Sequence, residues 1–317
     1  MKEFKITLND SGQRIDKFLQ KAMPELPKSM MYRLIRKKDI KINGKRCENS
    51  SKIVAGDIVR IYVKDEVSAA KQHDMSFLNA NTELSMIYED DNIIIVFKPV
   101  GLDSHSNGER NPDTLINRIK LYLYRKGEYV PDNENTFSPA LCSRLDRNTS
   151  GLVTAAKNSA SLRELNEGVR SGCIHKIYRC IVIGKPERAE DILTAYHFKD
   201  EGRNMVRISS EPKEGFKQIR TGYKLLDENS GLSLLEIRLY TGRTHQIRAH
   251  LAHIGIPILG DGKYGNIAVN KRLGIFRQQL CAYELEFDFP ENSPLRYLYE
   301  IHPRSPENLF DNLTFSH

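Results

Sequence analysis

The sequence predicts an α+β protein in two unequal parts, a small basic module followed by a larger body that mixes strands and helices. Three observations predict it. Charge is segregated: residues 1–64 carry sixteen Lys and Arg against seven Asp and Glu, whereas the remainder carries thirty-two against thirty-four. The net charge of +7 over 317 residues therefore arises in the first fifth of the chain. Apolar residues recur at helical spacing in some segments and alternate in others, including two alternating segments joined by a turn sequence as a hairpin. A polar stretch without sustained periodicity, residues 65–82, lies between the parts as a linker would. A chain of this length can bury one large core and one small one.

In the module, Arg14-Ile15-Asp16-Lys17-Phe18-Leu19 sets Ile15, Phe18 and Leu19 on one helical face, and Pro24 and Pro27 interrupt the pattern before a second helix. Ser29 is the predicted N-cap of that helix. Met30, Met31, Leu34 and Ile35 give it an apolar stripe, while Lys28, Arg33, Arg36, Lys37 and Lys38 crowd its other faces. Ile40-Lys41-Ile42 alternates as a strand, Asn43-Gly44 signals a tight turn, and Gly56-Asp57 leads into a strand over Ile58–Val63. Such a run of cations describes either a solvated face or a surface for a polyanion.

The larger body opens with the strand Ile93–Phe97, stopped by Lys98-Pro99-Val100-Gly101, where Pro and Gly force a turn. Residues 141–151 then set Asp146 between Arg144 and Arg147. Flanking guanidinium groups are expected to keep that carboxylate ionised, which suits a nucleophile or a base better than a general acid; a surface ion-pair cluster would have the same composition. Leu152–Ala156 follows as a strand, then a helix with Leu162, Leu165 and Val169 as apolar positions. Across 175–183 the pattern alternates, with Tyr178, Cys180 and Val182 on one face and Ile177, Arg179 and Ile181 on the other. The hairpin joins Gly222–Leu226 to Leu234–Leu239 across residues 228–231. Beyond it, Tyr240-Thr241-Gly242-Arg243-Thr244-His245-Gln246-Ile247-Arg248 enters a helix predicted to run from Thr244, its cap, to about Ile254.

Several function classes are disfavoured. His245 and His250 are five residues apart, about 140° around a helix, which scatters the imidazoles, and no H-E-x-x-H occurs, so no metal is expected. Gly260-Asp261-Gly262-Lys263-Tyr264-Gly265 fits the dinucleotide fingerprint in letters only; it lacks the preceding strand and following long helix, and reads as a turn. Cys47, Cys142, Cys173, Cys180 and Cys281 are odd in number and never paired as C-x-x-C, which suggests reduced, packed thiols. The longest apolar run, Ile93–Phe97, is far too short to span a bilayer, and Met1-Lys2-Glu3-Phe4-Lys5 has no signal-peptide character, so a cytoplasmic location without membrane contact is expected.

Residues 12–63, with their helix pair, Ile-Lys-Ile-Asn-Gly and Ala-Gly-Asp-Ile-Val, resemble the small RNA-binding domain named after ribosomal protein S-four. From Leu84 to about Tyr264 the chain resembles the pseudouridine synthases that modify large-subunit ribosomal RNA and some transfer RNAs. Lys98-Pro99-x-Gly101, Arg144-Leu145-Asp146-Arg147-x-Thr149-Ser150-Gly151 and Gly242-Arg243-Thr244-His245-Gln246-Ile247-Arg248 occur in that family's order.

The resemblance implies a mixed, mostly antiparallel sheet with flanking helices, a uridine-isomerising activity, and no metal or organic cofactor. By position it makes Asp146 the catalytic aspartate, Tyr178 the tyrosine that stacks on the target uracil, and Arg248 the partner of that aspartate. Arg144 holds the RNA helix open, with Arg147 and Lys98 as further contacts near the flipped base; Lys28, Arg33, Arg36, Lys37 and Lys38 supply RNA affinity. Ser143 and Asn148 depart from the family's usual His and Asp, which leaves the nucleophile intact but alters expected RNA contacts. The expected organisation is an RNA-binding module over 1–64, a linker over 65–82, a catalytic domain over 83–303 and a tail over 304–317, acting as a monomer on ribosomal RNA or transfer RNA. A non-catalytic RNA-binding or ribosome-assembly factor is the alternative that the two departures suggest.

Overall fold

Two sheets with separate cores organise the protein, a computed structural model of which describes residues 1–63, 73–106, 111–200, 202–203, 205–306 and 310. In the small one, β1 (Lys2–Lys5), β2 (Ile40–Ile42), β3 (Lys45–Arg46) and β4 (Ile58–Ile61) pair antiparallel in the order β1-β4-β2-β3. Helices α1 (Ile15–Ala22) and α2 (Lys28–Lys37) cover it, burying Ile15, Phe18 and Leu19 with Met31, Leu34 and Ile35 against Phe4, Ile40 and Val59. The apolar stripes thus fall where their spacing sets them. Strand β1 has no sequence signal of its own because only Phe4 is buried, and pairing with β4 holds it in place. Helix α2 starts two residues earlier than expected. Pro27 takes the N-cap and Ser29 lies inside the first turn, since proline brings no N–H that needs a partner there. Lys28, Arg33, Arg36, Lys37 and Lys38 are all exposed.

A polar seam ties this module to the larger body. The fully buried Asp10 carboxylate accepts hydrogen bonds from Thr7 N (3.1 Å), Thr7 Oγ1 (2.9 Å), Asn135 Nδ2 (2.7 Å) and Thr136 Oγ1 (2.6 Å). Beside it, Asn9 Nδ2 donates to Glu134 (2.7 Å) and Asn9 Oδ1 accepts from the Ser159 amide (3.0 Å). Buried carboxylates are tolerated only when hydrogen-bonded in this way.

The large sheet has ten strands: β5 (Ser85–Glu89), β6 (Ile93–Lys98), β7 (Ala140–Leu141), β8 (Ser150–Ala156), β9 (Ile174–Ile183), β10 (Glu190–Asp200), β11 (Met205–Ser209), β12 (Lys217–Asn229), β13 (Leu232–Leu239) and β14 (Leu280–Phe287). Their order is β11-β10-β12-β13-β9-β14-β8-β6-β5, with β7 on β8. All pairings are antiparallel except β14 with β8, which gives the mixed, mostly antiparallel sheet of an α+β fold. Helices α3 (Leu115–Arg125), α4 (Ser159–Ser171), α5 (Gln246–His253) and α6 (Ile267–Leu273) pack around it. The hairpin β12–β13 pairs Leu225 with Leu235 as its alternation predicts, interrupted by a bulge before Asp227.

Tyr178, Cys180 and Val182 share one cluster with Leu235, Ile247 and Leu251, while Ile181 joins Leu234 and Leu259 in another. Alternation therefore assigned the two faces of β9 correctly. On α4 the expected stripe is only partly used: Leu165 is buried but Val169 is 45% exposed. Gly168 takes its place, because Phe289 lies so close that a Cβ at 168 would meet its ring carbon Cε1 at 2.6 Å.

The first residues of the expected linker, 65–72, lie outside the described residues. Its later part belongs to the large core, since Phe77 in the short 3₁₀ turn Ser76–Asn79 packs edge-on to Tyr124. At the other end, the Ser305 amide donates to Tyr283 O (2.8 Å) and Arg304 pairs with Glu284 (3.1 Å), extending the packed body past residue 303. Of the expected tail, 307–309 and 311–317 lie outside the described residues.

The parallel contact between β8 and β14 demands glycine. Gly151 has φ +121°, and a Cβ there would lie 2.4 Å from both the N and the O of Ala282. The Thr149-Ser150-Gly151 turn therefore delivers the preceding loop to the middle of the sheet.

Candidate active site

The loop before β8 is held through its backbone. The Leu145 amide donates to Ser104 Oγ (3.2 Å), which donates in turn to Leu145 O (2.9 Å). Arg147 O accepts from the Gly101 amide (2.8 Å) and from Lys98 Nζ (3.2 Å), and Gln278 Nε2 donates to Thr149 Oγ1 (2.8 Å). Asp146, at the centre of this frame, is one third exposed.

Lys98 differs from its expected place at an RNA surface. It is fully buried, with Nζ donating to the carbonyls of Pro99, Leu102 and Arg147, and burial lowers its pKa to about 8. Its ammonium braces the Asp146 loop from within. Arg147 is exposed and its Nε donates to Gly101 O (3.1 Å), while Arg144 is exposed beside the loop.

The guanidinium that faces Asp146 is neither of its sequence neighbours. Arg248, on α5, donates from Nη1 to Asp146 Oδ2 (2.9 Å). Its Nε and Nη2 are taken by Asp261 Oδ2 (2.7 Å) and Oδ1 (3.0 Å), a bidentate pair in which Asp261 is fully buried. Burial alone would raise Asp261, but the Arg248 hydrogen bonds outweigh it and hold the carboxyl below its ordinary value. Arg248 is thus clamped by one carboxylate and presented to another.

Asp261 sits in the glycine-rich turn that the sequence offered only as a turn. Its Oδ1 also accepts from the amides of Lys263 (2.8 Å) and Tyr264 (3.0 Å). Both outer glycines are obligatory: a Cβ at Gly260 would lie 2.0 Å from Arg277 O, and one at Gly265 2.2 Å from Asp261 O. The turn is a cradle for Arg248, a side chain and not a phosphate.

Helix α5 begins at Gln246, not Thr244. His245 takes the N-cap in the left-handed region (φ 53°) with no side-chain cap, and Gln246 folds back to accept from Thr241 Oγ1 (2.9 Å) and the Arg243 amide (3.1 Å). His245 Nδ1 faces the Tyr264 hydroxyl (2.9 Å) and its Nε2 lies 3.7 Å from Asp146 Oδ2. Tyr178 on β9 is buried near Asp146, and burial followed by that negative charge pushes its phenol pKa up, so the ring is neutral. Ser104, His245, Asp261, Tyr264 and Gln278 were not singled out as site residues from sequence. Each acts across a long chain separation, and only the three glycines of the 260–265 turn could have pointed to two of them, Asp261 and Tyr264.

Chemically, the arrangement offers one partly exposed carboxylate, a fixed cation and an aromatic ring. Glycoside hydrolysis calls for two carboxylates at the substrate. Asp261 cannot serve as the second, because it is buried and consumed by Arg248. Among the described residues no group of three or more His, Cys, Asp or Glu is arranged to hold a metal ion, and His245, His250 and His253 bond separately to Tyr264, Thr221 and Ser210.

Residues 92–253 match the RNA pseudouridylate synthase family, half of the chain, and residues 13–59 match the S4 domain. The chain belongs to the RNA pseudouridylate synthases, isomerases that act on RNA. Among curated proteins it is similar to the ribosomal large subunit pseudouridine synthase C of Vibrio parahaemolyticus, 32% identical over 89% of this chain and 87% of that protein. The protein of the same name from Escherichia coli K12 is also 32% identical, over 90% and 88%. Among solved structures, human RNA pseudouridylate synthase domain containing 1 shares the fold, with a TM-score of 0.55 at 20% identity over 75% of this chain and 86% of that one.

Proposed function

We propose that this protein converts one or more uridines of large-subunit ribosomal RNA to pseudouridine, with Asp146 as the reacting carboxylate. The observation that carries the reading is the convergence of Asp146, Tyr178 and Arg248 from three separate segments, with Arg248 held between Asp146 and a buried Asp261. The names of the curated relatives support ribosomal RNA over transfer RNA as the substrate.

Isomerisation requires cutting the bond between uracil nitrogen and ribose carbon, turning the uracil, and rejoining it through ring carbon. The target nucleotide must leave its stack at a cost of about a few kcal/mol, offset by contacts to the flipped base. Tyr178 supplies a neutral face for stacking. Asp146 serves as nucleophile or base while Arg248 fixes its carboxylate in place. Arg144, exposed on the same loop, fills the gap in the RNA helix on this reading. An arginine clamped by one buried carboxylate and aimed at a partly exposed second one favours an enzyme over a passive assembly factor. Ser143 and Asn148, whose departures suggest that alternative, make no hydrogen bond to Asp146 or Arg248 among the described residues.

The small module supplies affinity through exposed Lys28, Arg33, Arg36, Lys37 and Lys38, and the larger body supplies the chemistry. The same reading makes the protein a cytoplasmic monomer; no helix among the described residues is long and apolar enough to cross a membrane. Mapping pseudouridine in ribosomal RNA from cells lacking the protein tests the assignment: at least one large-subunit site should revert to uridine, and an unaltered map overturns it. Replacing Arg33, Arg36 and Lys37 together by Ala should weaken RNA binding and flatten the plot of log affinity against log salt by roughly 0.7–0.9 per lost phosphate contact. An unchanged slope in filter binding would remove α2 from the interface.

A further inference from the structure

His245 carries a constraint that the chemistry above does not use. Its backbone is in the left-handed region, where a non-glycine residue is strained, and such strain persists only where the surroundings enforce it. The surroundings are specific. His197 Nε2 donates to Thr244 O (2.9 Å), bracing the preceding peptide, and the imidazole packs edge-on to the Tyr264 ring at 5.6 Å.

The hydrogen bonds around Tyr264 fix which imidazole nitrogen carries the proton. The Val206 amide can only donate, and it donates to Tyr264 Oη (2.8 Å). The hydroxyl keeps one proton, and the acceptor within reach is His245 Nδ1 at 2.9 Å. With Nδ1 accepting, the neutral ring holds its proton on Nε2, the nitrogen 3.7 Å from Asp146 Oδ2. Arg248 Nη1 donates to that same oxygen, so Oδ2 receives both neighbours while Oδ1 accepts from none of the described residues.

We infer that His245 is a positioning residue for Asp146: the Tyr264 hydroxyl holds it in the Nε2–H tautomer, its proton faces Oδ2, and the carboxylate is thereby oriented with Oδ1 towards the substrate. The inference rests on Asp146 being the reacting carboxylate. No proton is transferred; the imidazole keeps its Nε2 proton throughout. A second proton could enter only at Nδ1, displacing the tyrosine hydrogen bond, and would set an imidazolium against Asp146. Burial, Arg248 and Lys263 oppose that charge, while Asp146 and Asp261 favour it, and burial is the largest influence. His197 faces the same turn through Thr244.

The test is the pH dependence of single-turnover pseudouridine formation in the full-length protein. In Tyr264→Phe the Nδ1 position is released, so the acidic limb of the profile should move to higher pH by about half a unit or more. His245→Ala should lower the rate constant roughly 10- to 100-fold at unchanged KM, with His245→Gln, which retains a donor, recovering part of it. Ring nitrogen-15 spectra of the wild type, assigned with His245→Gln, should show Nδ1 unprotonated at neutral pH. An unshifted acidic limb in a folded Tyr264→Phe protein, a protonated Nδ1, or a Gln variant no better than Ala overturns the inference. Full activity in Asp146→Asn would instead remove the reading beneath it, so the two failures are distinct.

Discussion

Asp146→Asn should lower pseudouridine formation by about a thousandfold or more while leaving RNA binding and the fold in place. On the proposed mechanism Asp146 is the carboxylate that reaches the substrate, and losing a nucleophile or its base costs several powers of ten in well-studied enzymes. The fold survives because Asp146 is one third exposed and Arg248 keeps its buried partner Asp261. A change of about 1 kcal/mol or less in stability is expected for a pair so placed. The measurement is pseudouridine content after incubation with ribosomal RNA, alongside thermal unfolding of both proteins. Equal turnover by wild type and variant would mean that another group does the chemistry.

Asp261→Ala should be the more disruptive change, although the residue touches no substrate. It strands a buried guanidinium whose other two donors lose their acceptors, and breaking a buried ion pair from one side typically costs about 3–5 kcal/mol. It also frees the amides of Lys263 and Tyr264, loosening the turn that positions His245. Activity should fall with stability, roughly a hundredfold, because Asp146 loses a fixed partner. The effect has a signed pH dependence. The folded carboxyl lies below its ordinary value of 3.8, so its contribution is present above that pH and disappears as pH falls through the folded value. Wild type and variant should therefore converge in stability below about pH 4, and a gap unchanged into strong acid would refute the ion-pair account.

Legibility in the sequence followed the range of the interactions. Alternation over residues 175–183 and the hairpin at 222–239 are local, and their buried faces came out as spaced. So did the stripes of α1 and α2. Strand β1 carries one buried side chain and owes its place to β4, which no local pattern announces. The site divides in the same way. The Arg-Leu-Asp motif pointed to Asp146, and the family resemblance named Arg248, 102 residues away, as its partner; the local pattern alone offered only the flanking arginines, which do not face it. Lys98 looked like a surface cation because its letter is charged; three carbonyls converging on one ammonium cannot be read from a linear pattern. The 260–265 turn was visible in its glycines, yet its purpose depended on α5 lying against it.

The seam at Asp10 bears on how a target is chosen. Domains joined by a free tether sample a volume, and the second binding event then occurs at an effective concentration set by the tether. Here the hydrogen bonds that join Asn9 and Asp10 with residues 134–136 and 159 replace that sampling with a fixed offset. If α2 grips the RNA as proposed, Asp146 meets only the nucleotide lying at one distance and one angle from the grip. Selectivity of that kind is a matter of surveying, in which the protein measures where a uridine stands relative to a distant landmark and need not read the bases in between.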